Sequence, residues 1–265
     1  MKQNHPPAFT LVELLASISV LFILMTVMTQ TVGMVSSTWH SGKARIDAFT
    51  QARTTLGMLD RDLQRIVLRP DLAAFADQSG ANGALAFYTR VKGDDGNRGV
   101  SLVHYQVLNP SSEPRLVRSD FGLDFEIAPR IPTYGKSDRL PDLANVEPKE
   151  LAPGVVTLTY KFIDGTGAEK DRFSFNYNDP QATSNTRILR VSLLVLDTNA
   201  YELLKNSGQF STLLTDAATP PQPGETQGEL WERLIESSAL SDSLPPPVLK
   251  SLKVFERTYT IPVNR

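Results

Sequence analysis

The sequence predicts an α+β fold in which a long N-terminal α-helix packs on an antiparallel β-sheet. Three observations predict it. Residues 9–35 are a 27-residue apolar run with one charge, Glu13. From Trp39 to Leu68 there is no proline, and apolar residues recur at helical spacing. From Leu85 onward, short segments of period two alternate with turn-rich stretches, which favours neighbouring antiparallel strands over crossover units.

The first element is the apolar run. As a helix it extends about 40 Å at 1.5 Å per residue, more than the roughly 30 Å hydrocarbon core of a bilayer, so residues 9–35 are expected to cross a membrane. Glu13 is costly there, since an ionised group at mid-bilayer is disfavoured by roughly 2.5–3.5 kcal/mol on insertion scales. Ahead of the run stands MKQNHPPA, a polar octapeptide. A secretory signal has its small-residue cleavage site after the apolar region, whereas Ala8 precedes it. Cleavage after Ala8 would keep the helix and create an amine on Phe9, a suitable partner for a buried carboxylate.

The helix is expected to continue as an amphipathic half over residues 36–69. Phe49, Ala52, Leu56, Leu59, Leu63 and Ile66 form one stripe, with Arg45, Asp47, Arg53, Arg61, Asp62 and Arg65 on the opposite face, and Pro70 is the stop. Asp60, Arg61, Asp62 and Arg65 thus read as a solvated face, or, if functional, as one turned toward a neighbouring subunit.

Residues 70–265 are expected to form a β-rich globular domain. LAFYTRV (85–91) and VSLVHYQVL (100–108) flank KGDDGNRG, and VVTLTYKFI (155–163) and RFSFNY (172–177) flank DGTGAEKD; RILRVSLLVLD (187–197) follows and KVFERTYTIPV (253–263) comes last. Residues 109–153 hold seven prolines and read as a long loop with short strands. Residues 198–250 read as an insertion. Within it Thr226 and Glu229 have capping-box spacing ahead of LWERLIESSAL, framed by Pro220, Pro221, Pro223 and the triplet Pro245, Pro246 and Pro247. The insertion is either a binding surface or a variable solvated loop.

Composition narrows the chemistry. With 27 basic and 29 acidic residues, the chain lacks the basic excess a nucleic-acid surface needs. The absence of cysteine removes disulfides and thiolate chemistry. His5, His40 and His104 show no metal-ligand spacing, and His104 reads as a half-buried or surface sheet residue. No G-x-S-x-G is present and no Gly-rich turn ends in Lys-Ser/Thr, so neither enzymatic activity nor a cofactor is expected. Asp94, Asp95 and Asn97 in GDDGN offer oxygen ligands of the kind calcium uses, without the spacing of an EF-hand, so the loop reads first as a hairpin turn.

Ala8-Phe9-Thr10-Leu11-Val12-Glu13 resembles the type IV prepilin signal. The resemblance implies a pilin-like fold, cleavage after Ala8 by a prepilin peptidase, N-methylation of Phe9, and pairing of Glu13 with the Phe9 amine of a neighbouring subunit. It also implies other pilin or pseudopilin subunits and an inner-membrane assembly platform as partners. Location would be the bacterial inner membrane, single-pass, with a periplasmic C-terminal domain, and then a filament. ARTTLGMLDRDLQRIVLRP, GVVTLTYKFIDG, ILRVSLLVLD and FERTYTIPV are similar to pieces of J-class minor pseudopilins of type II secretion systems, which implies a place near a filament tip. Some pseudopilins bind calcium, the one reason to keep Asp94, Asp95 and Asn97 in view. The rival expectation is a signal-anchored single-pass protein that displays a β-rich binding or enzymatic domain and never polymerises.

Overall fold

The computed structural model describes residues 10–68, 84–93, 99–123, 147–170, 172–173, 182–183, 188–237 and 244–262. Two compact units divide the chain, residues 1–44 and 45–265. Helix α1 (Leu11–Leu63) begins in the first and ends in the second.

In the first unit every residue of α1 but Ala44 is exposed, and the apolar ones fall on all sides of the helix; Phe22 and Met28 expose 73% and 70% of their surface. The helix is long and apolar enough to cross a membrane. Its hydroxyls fit that environment. Ser17, Ser19, Thr26, Thr29, Thr31 and Thr38 each donate to the carbonyl four residues back, at 2.8–2.9 Å, so none is left unpaired in an apolar medium.

The second unit is built on two four-stranded antiparallel sheets where the sequence predicts one. β1 (Leu85–Thr89), β2 (Ser101–Leu108), β3 (Arg115–Gly122) and β4 (Lys149–Pro153) form the first, in that order. β5 (Val155–Ile163), β6 (Glu169–Lys170), β9 (Ile188–Val195) and β10 (Lys253–Thr260) form the second, ordered β10-β9-β5-β6. β7 (Arg172–Phe173) and β8 (Ala182–Thr183) make a short parallel pair. β1-β2 is the expected hairpin, but among the described residues β5 does not pair with the 172–177 segment. Its neighbours are β6 and β9, while Arg172–Phe173 pairs with β8, because the chain turns back within DGTGAEKD and Glu169 and Lys170 of that stretch already form the return strand. β3 and β4 are strands inside the proline-rich stretch, where a long loop with short strands is expected, and β3 runs to a full eight residues.

One residue carries the chain between sheets. Gly154 lies between β4 and β5 at φ +88°, its carbonyl accepting from Leu196 N at 2.8 Å. A Cβ there would stand 2.7 Å from Leu196 O, so only glycine fits both the backbone conformation and the approach.

The second half of α1 lies over a core shared by both sheets. Ala52, Leu56, Leu59 and Leu63 are buried with Phe87, Tyr105 and Leu116 from one sheet and Leu158, Phe162 and Val191 from the other. Each fully buried Leu or Phe contributes about 1.5–3 kcal/mol. The helix stops at Leu63, short of the expected residue 69. Ile66 and Val67 instead join β1. Ile66 bridges Thr89, Val67 N donates to Tyr88 O at 2.8 Å, and Arg90 N donates to Arg65 O at 2.7 Å. β-branched residues suit such an edge pairing better than another helical turn.

The insertion is a helical layer, neither a loop nor one isolated helix. α2 (Thr198–Ser207), α3 (Phe210–Ala217), α4 (Gln227–Glu236) and α5 (Pro246–Ser251) bury Leu204, Phe210, Leu213, Leu230, Trp231 and Val248 against Val156 and Leu194 from the second sheet and Leu196 just after β9. Strand alternation sorts the cores: Leu189, Val191, Leu193 and Val195 face the α1 side, and Leu194 faces the insertion. Thr226 forms the expected capping box, its hydroxyl accepting from Glu229 N at 3.1 Å while Glu229 accepts from Thr226 N at 2.8 Å. Asp197 caps α2 by accepting from Ala200 N, and Gly208 ends it at φ +68°. On β10, Glu256 accepts from Gly228 N in the first turn of α4, at 3.0 Å, and from Ser192 Oγ, at 2.8 Å, tying the insertion to the sheet.

Candidate functional site

Of the residues singled out from sequence, Glu13 is described. Ala8, Phe9, Asp94, Asp95 and Asn97 lie outside the described residues.

Glu13 is the third residue of α1, and its carboxylate turns back on its own chain. Oε2 accepts from Thr10 N at 3.0 Å and from Thr10 Oγ1 at 2.8 Å, while Glu13 N lies 3.3 Å from Thr10 Oγ1. This is a capping box. It satisfies a helix-terminal donor at each end of the exchange and places negative charge at the positive end of the helix dipole. Glu13 therefore has a local partner that the sequence reading missed. The T-x-x-E spacing of Thr10 and Glu13 carried the signal, the same one that revealed Thr226 and Glu229.

A second polar constellation lies where α1 meets the first sheet. Asp62 is 6% exposed and belongs to the buried face of the helix, which corrects its assignment to the solvated face. Its Oδ2 accepts from Tyr105 Oη at 2.7 Å and from Arg118 Nε at 2.9 Å, and Arg118 Nη1 donates to Asp120 Oδ2 at 3.0 Å. Burial works against the Arg118 charge, but the neighbouring Asp62, Tyr105 and Asp120 outweigh it and hold the guanidinium firmly protonated. Burial, and after it the Asp62 charge, pushes the Tyr105 hydroxyl well above its usual range. Register explains the cluster: Tyr105 pairs with Arg118 and Val103 with Asp120, so these side chains share the face toward α1.

Two further links join α1 to β10. Arg257 Nη2 bonds Asp60 Oδ2 at 3.0 Å, and Tyr259 Oη donates to Leu56 O at 2.9 Å. Asp60 thus keeps its expected partly solvated position, whereas Asp62 does not. His104 is more buried than expected, 8% exposed on β2, and burial lowers its pKa. Among the described residues no group of three or more His, Cys, Asp or Glu could hold a metal ion.

Asp62, Tyr105, Arg118 and Asp120 form a clamp between α1 and the first sheet. Opposite charges meet with little water, and the Tyr105 hydroxyl donates to the same carboxylate oxygen that Arg118 holds.

No protein-family model and no curated protein matches the sequence. Among solved structures, the type IV-like pilin TTHA1219 from Thermus thermophilus is similar over 80% of this chain and 94% of its own, at 14% identity and a TM-score of 0.39. A score of that size leaves the reading of this chain to its own residues.

Proposed function

We propose that this chain is a minor pilin or pseudopilin: inserted as a precursor, cleaved between Ala8 and Phe9 by a prepilin peptidase, N-methylated on Phe9, and assembled with other such subunits, near the tip, into a type IV pilus-like or type II secretion filament. One observation carries the reading. A largely apolar helix, exposed on every side, carries a lone carboxylate at its third residue, follows a small-residue junction three residues upstream, and leads into an α+β domain. Such a helix needs an apolar surrounding, which lipid supplies before assembly and neighbouring helices supply after it.

Glu13 links the two states. In the single chain Thr10 satisfies its carboxylate. In a filament the Phe9 amine of the adjoining subunit adds a partner of opposite charge, and an ion pair in an apolar core is stronger than the bonds from the uncharged Thr10 donors. The J-class resemblance of the later segments supports the tip position. On this reading the domain is periplasmic, and an inner-membrane platform moves the subunit out of the bilayer.

The self-contained capping of Glu13 also favours a second reading, a signal-anchored protein that needs no neighbour. Intact mass of the protein from membranes separates them. Loss of Met1 through Ala8 with gain of one methyl group supports the first, and an intact leader overturns it. Ala8→Leu should block processing, and an unchanged mature mass in that variant would count equally against cleavage at this junction.

A further inference from the structure

Trp39 stands where α1 changes character. Before it, from Leu14 to Thr38, no residue is charged; after it come His40, Lys43 and Arg45. Trp39 is 74% exposed, and Lys43 lies one turn further on the same side of the helix, also exposed. Indole rings and Lys side chains are the groups that settle at the boundary between hydrocarbon and headgroups.

The other end of the apolar stretch is Glu13, 26 residues away and therefore about 39 Å along the axis. A bilayer is about 30 Å thick across its hydrocarbon and about 40–45 Å with both headgroup layers. An average tilt near 20° shortens the projection to about 37 Å, still more than the hydrocarbon and less than the whole bilayer. With Trp39 in one headgroup layer, Glu13 falls in the other.

We propose that the Trp39–Lys43 turn docks in a phospholipid headgroup layer and fixes how deeply α1 sits, which holds the Thr10–Glu13 cap in the headgroup layer of the opposite leaflet. The occupant of this surface is lipid. The ring takes the boundary, and the Lys43 ammonium complements headgroup phosphates. The inference rests on the membrane-inserted part of the proposed function and not on cleavage or polymerisation. It changes the role of Glu13. At rest the carboxylate lies among headgroups and costs little. Sliding the helix toward the Trp39 side drags that carboxylate into hydrocarbon, so a subunit resists leaving the bilayer until a partner charge is beside it. A competing register has Gln30 at the boundary instead. Glu13 to Gln30 covers only about 25 Å, and Trp39 would then stand in water.

The sequence contains two tryptophans, and Trp231 is buried in the insertion core. Full-length protein is reconstituted into phosphatidylcholine and phosphatidylglycerol vesicles whose acyl chains are brominated either near the glycerol or near the chain middle. Subtracting the emission of Trp39→Phe from that of the unaltered chain isolates Trp39 without disturbing Trp231. The expected result is a larger loss of Trp39 emission with bromines near the glycerol. A larger loss with mid-chain bromines, or none with either lipid, overturns the register. A chain that fails to float with the vesicles overturns the membrane reading as well. A register that draws the carboxylate into hydrocarbon puts Trp39 in water and gives no loss with either lipid, and none of these outcomes depends on the state of the leader.

Discussion

Asp62→Ala tests how the clamp holds the helix. In the intact chain the Asp62 carboxylate accepts from Tyr105 and Arg118, with side-chain exposures of 9% for Asp62 and 11% for Arg118. The substitution removes both bonds, orphans the Tyr105 hydroxyl and leaves Arg118 with Asp120. Removing one partner of a buried ion pair costs about 3–5 kcal/mol. Because Asp120 still holds Nη1 of Arg118, the low end applies, about 3 kcal/mol. For a domain of roughly 200 residues, at 2–4 °C per kcal/mol, this lowers Tm by about 6–12 °C. Thermal unfolding of the full chain in detergent, followed by near-ultraviolet circular dichroism, reads the shift. Combining Asp62→Ala with Arg118→Met should cost less than the sum of the two, with a coupling of about 1–3 kcal/mol. A Tm drop under about 2 °C with strict additivity would show that the clamp contributes nothing to stability.

Glu13→Ala should still reach the membrane and lose its leader but enter sheared filaments poorly, and normal incorporation by immunoblot refutes the assembly role. Gly154→Ala forces a side chain to φ +88° with its Cβ 2.7 Å from Leu196 O. It should cost about 2 kcal/mol or more, read as a lower urea midpoint at unchanged slope. Burial holds the His104 pKa below its usual value, so the folded state binds fewer protons than the unfolded one. Stability from this group is present above the unfolded pKa of about 6.5 and declines as pH falls through it. His104→Gln should flatten the Tm profile between about pH 7.5 and 5, and a variant profile as steep as the parent's argues against the burial effect.

What the sequence revealed and concealed has a physical pattern. The stripe from Ala52 to Leu63 and the strands of Leu85, Val155 and Ile188 were legible because apolar side chains repeat with the period of their element. β3 was hidden because two of its three positions toward α1, Arg118 and Asp120, are polar, so the alternation that marks a strand is missing. Asp62 was hidden for the complementary reason. It takes a core position on the helix, and a charge there reads as surface until Tyr105 and Arg118 are known to meet it. The helices α2 and α3 are ten and eight residues long, too short for a strong periodic signal. The Asp197 cap and Gly208 stop around α2 were the available clue. At the candidate site, the sequence singled out Glu13 for its isolation, but its local partner needed the geometry of Thr10.

The fastenings of α1 differ in direction as well as strength. Asp62 is held from β3 in the first sheet, while Asp60 and Leu56 are held from β10 in the second. A tensile load along the helix would be shared in parallel between the two sheets, in shear, instead of unzipping one attachment after another. Slipping would require the ion pairs and the Tyr259 bond to rupture together, a geometry suited to a part that is pulled by one end.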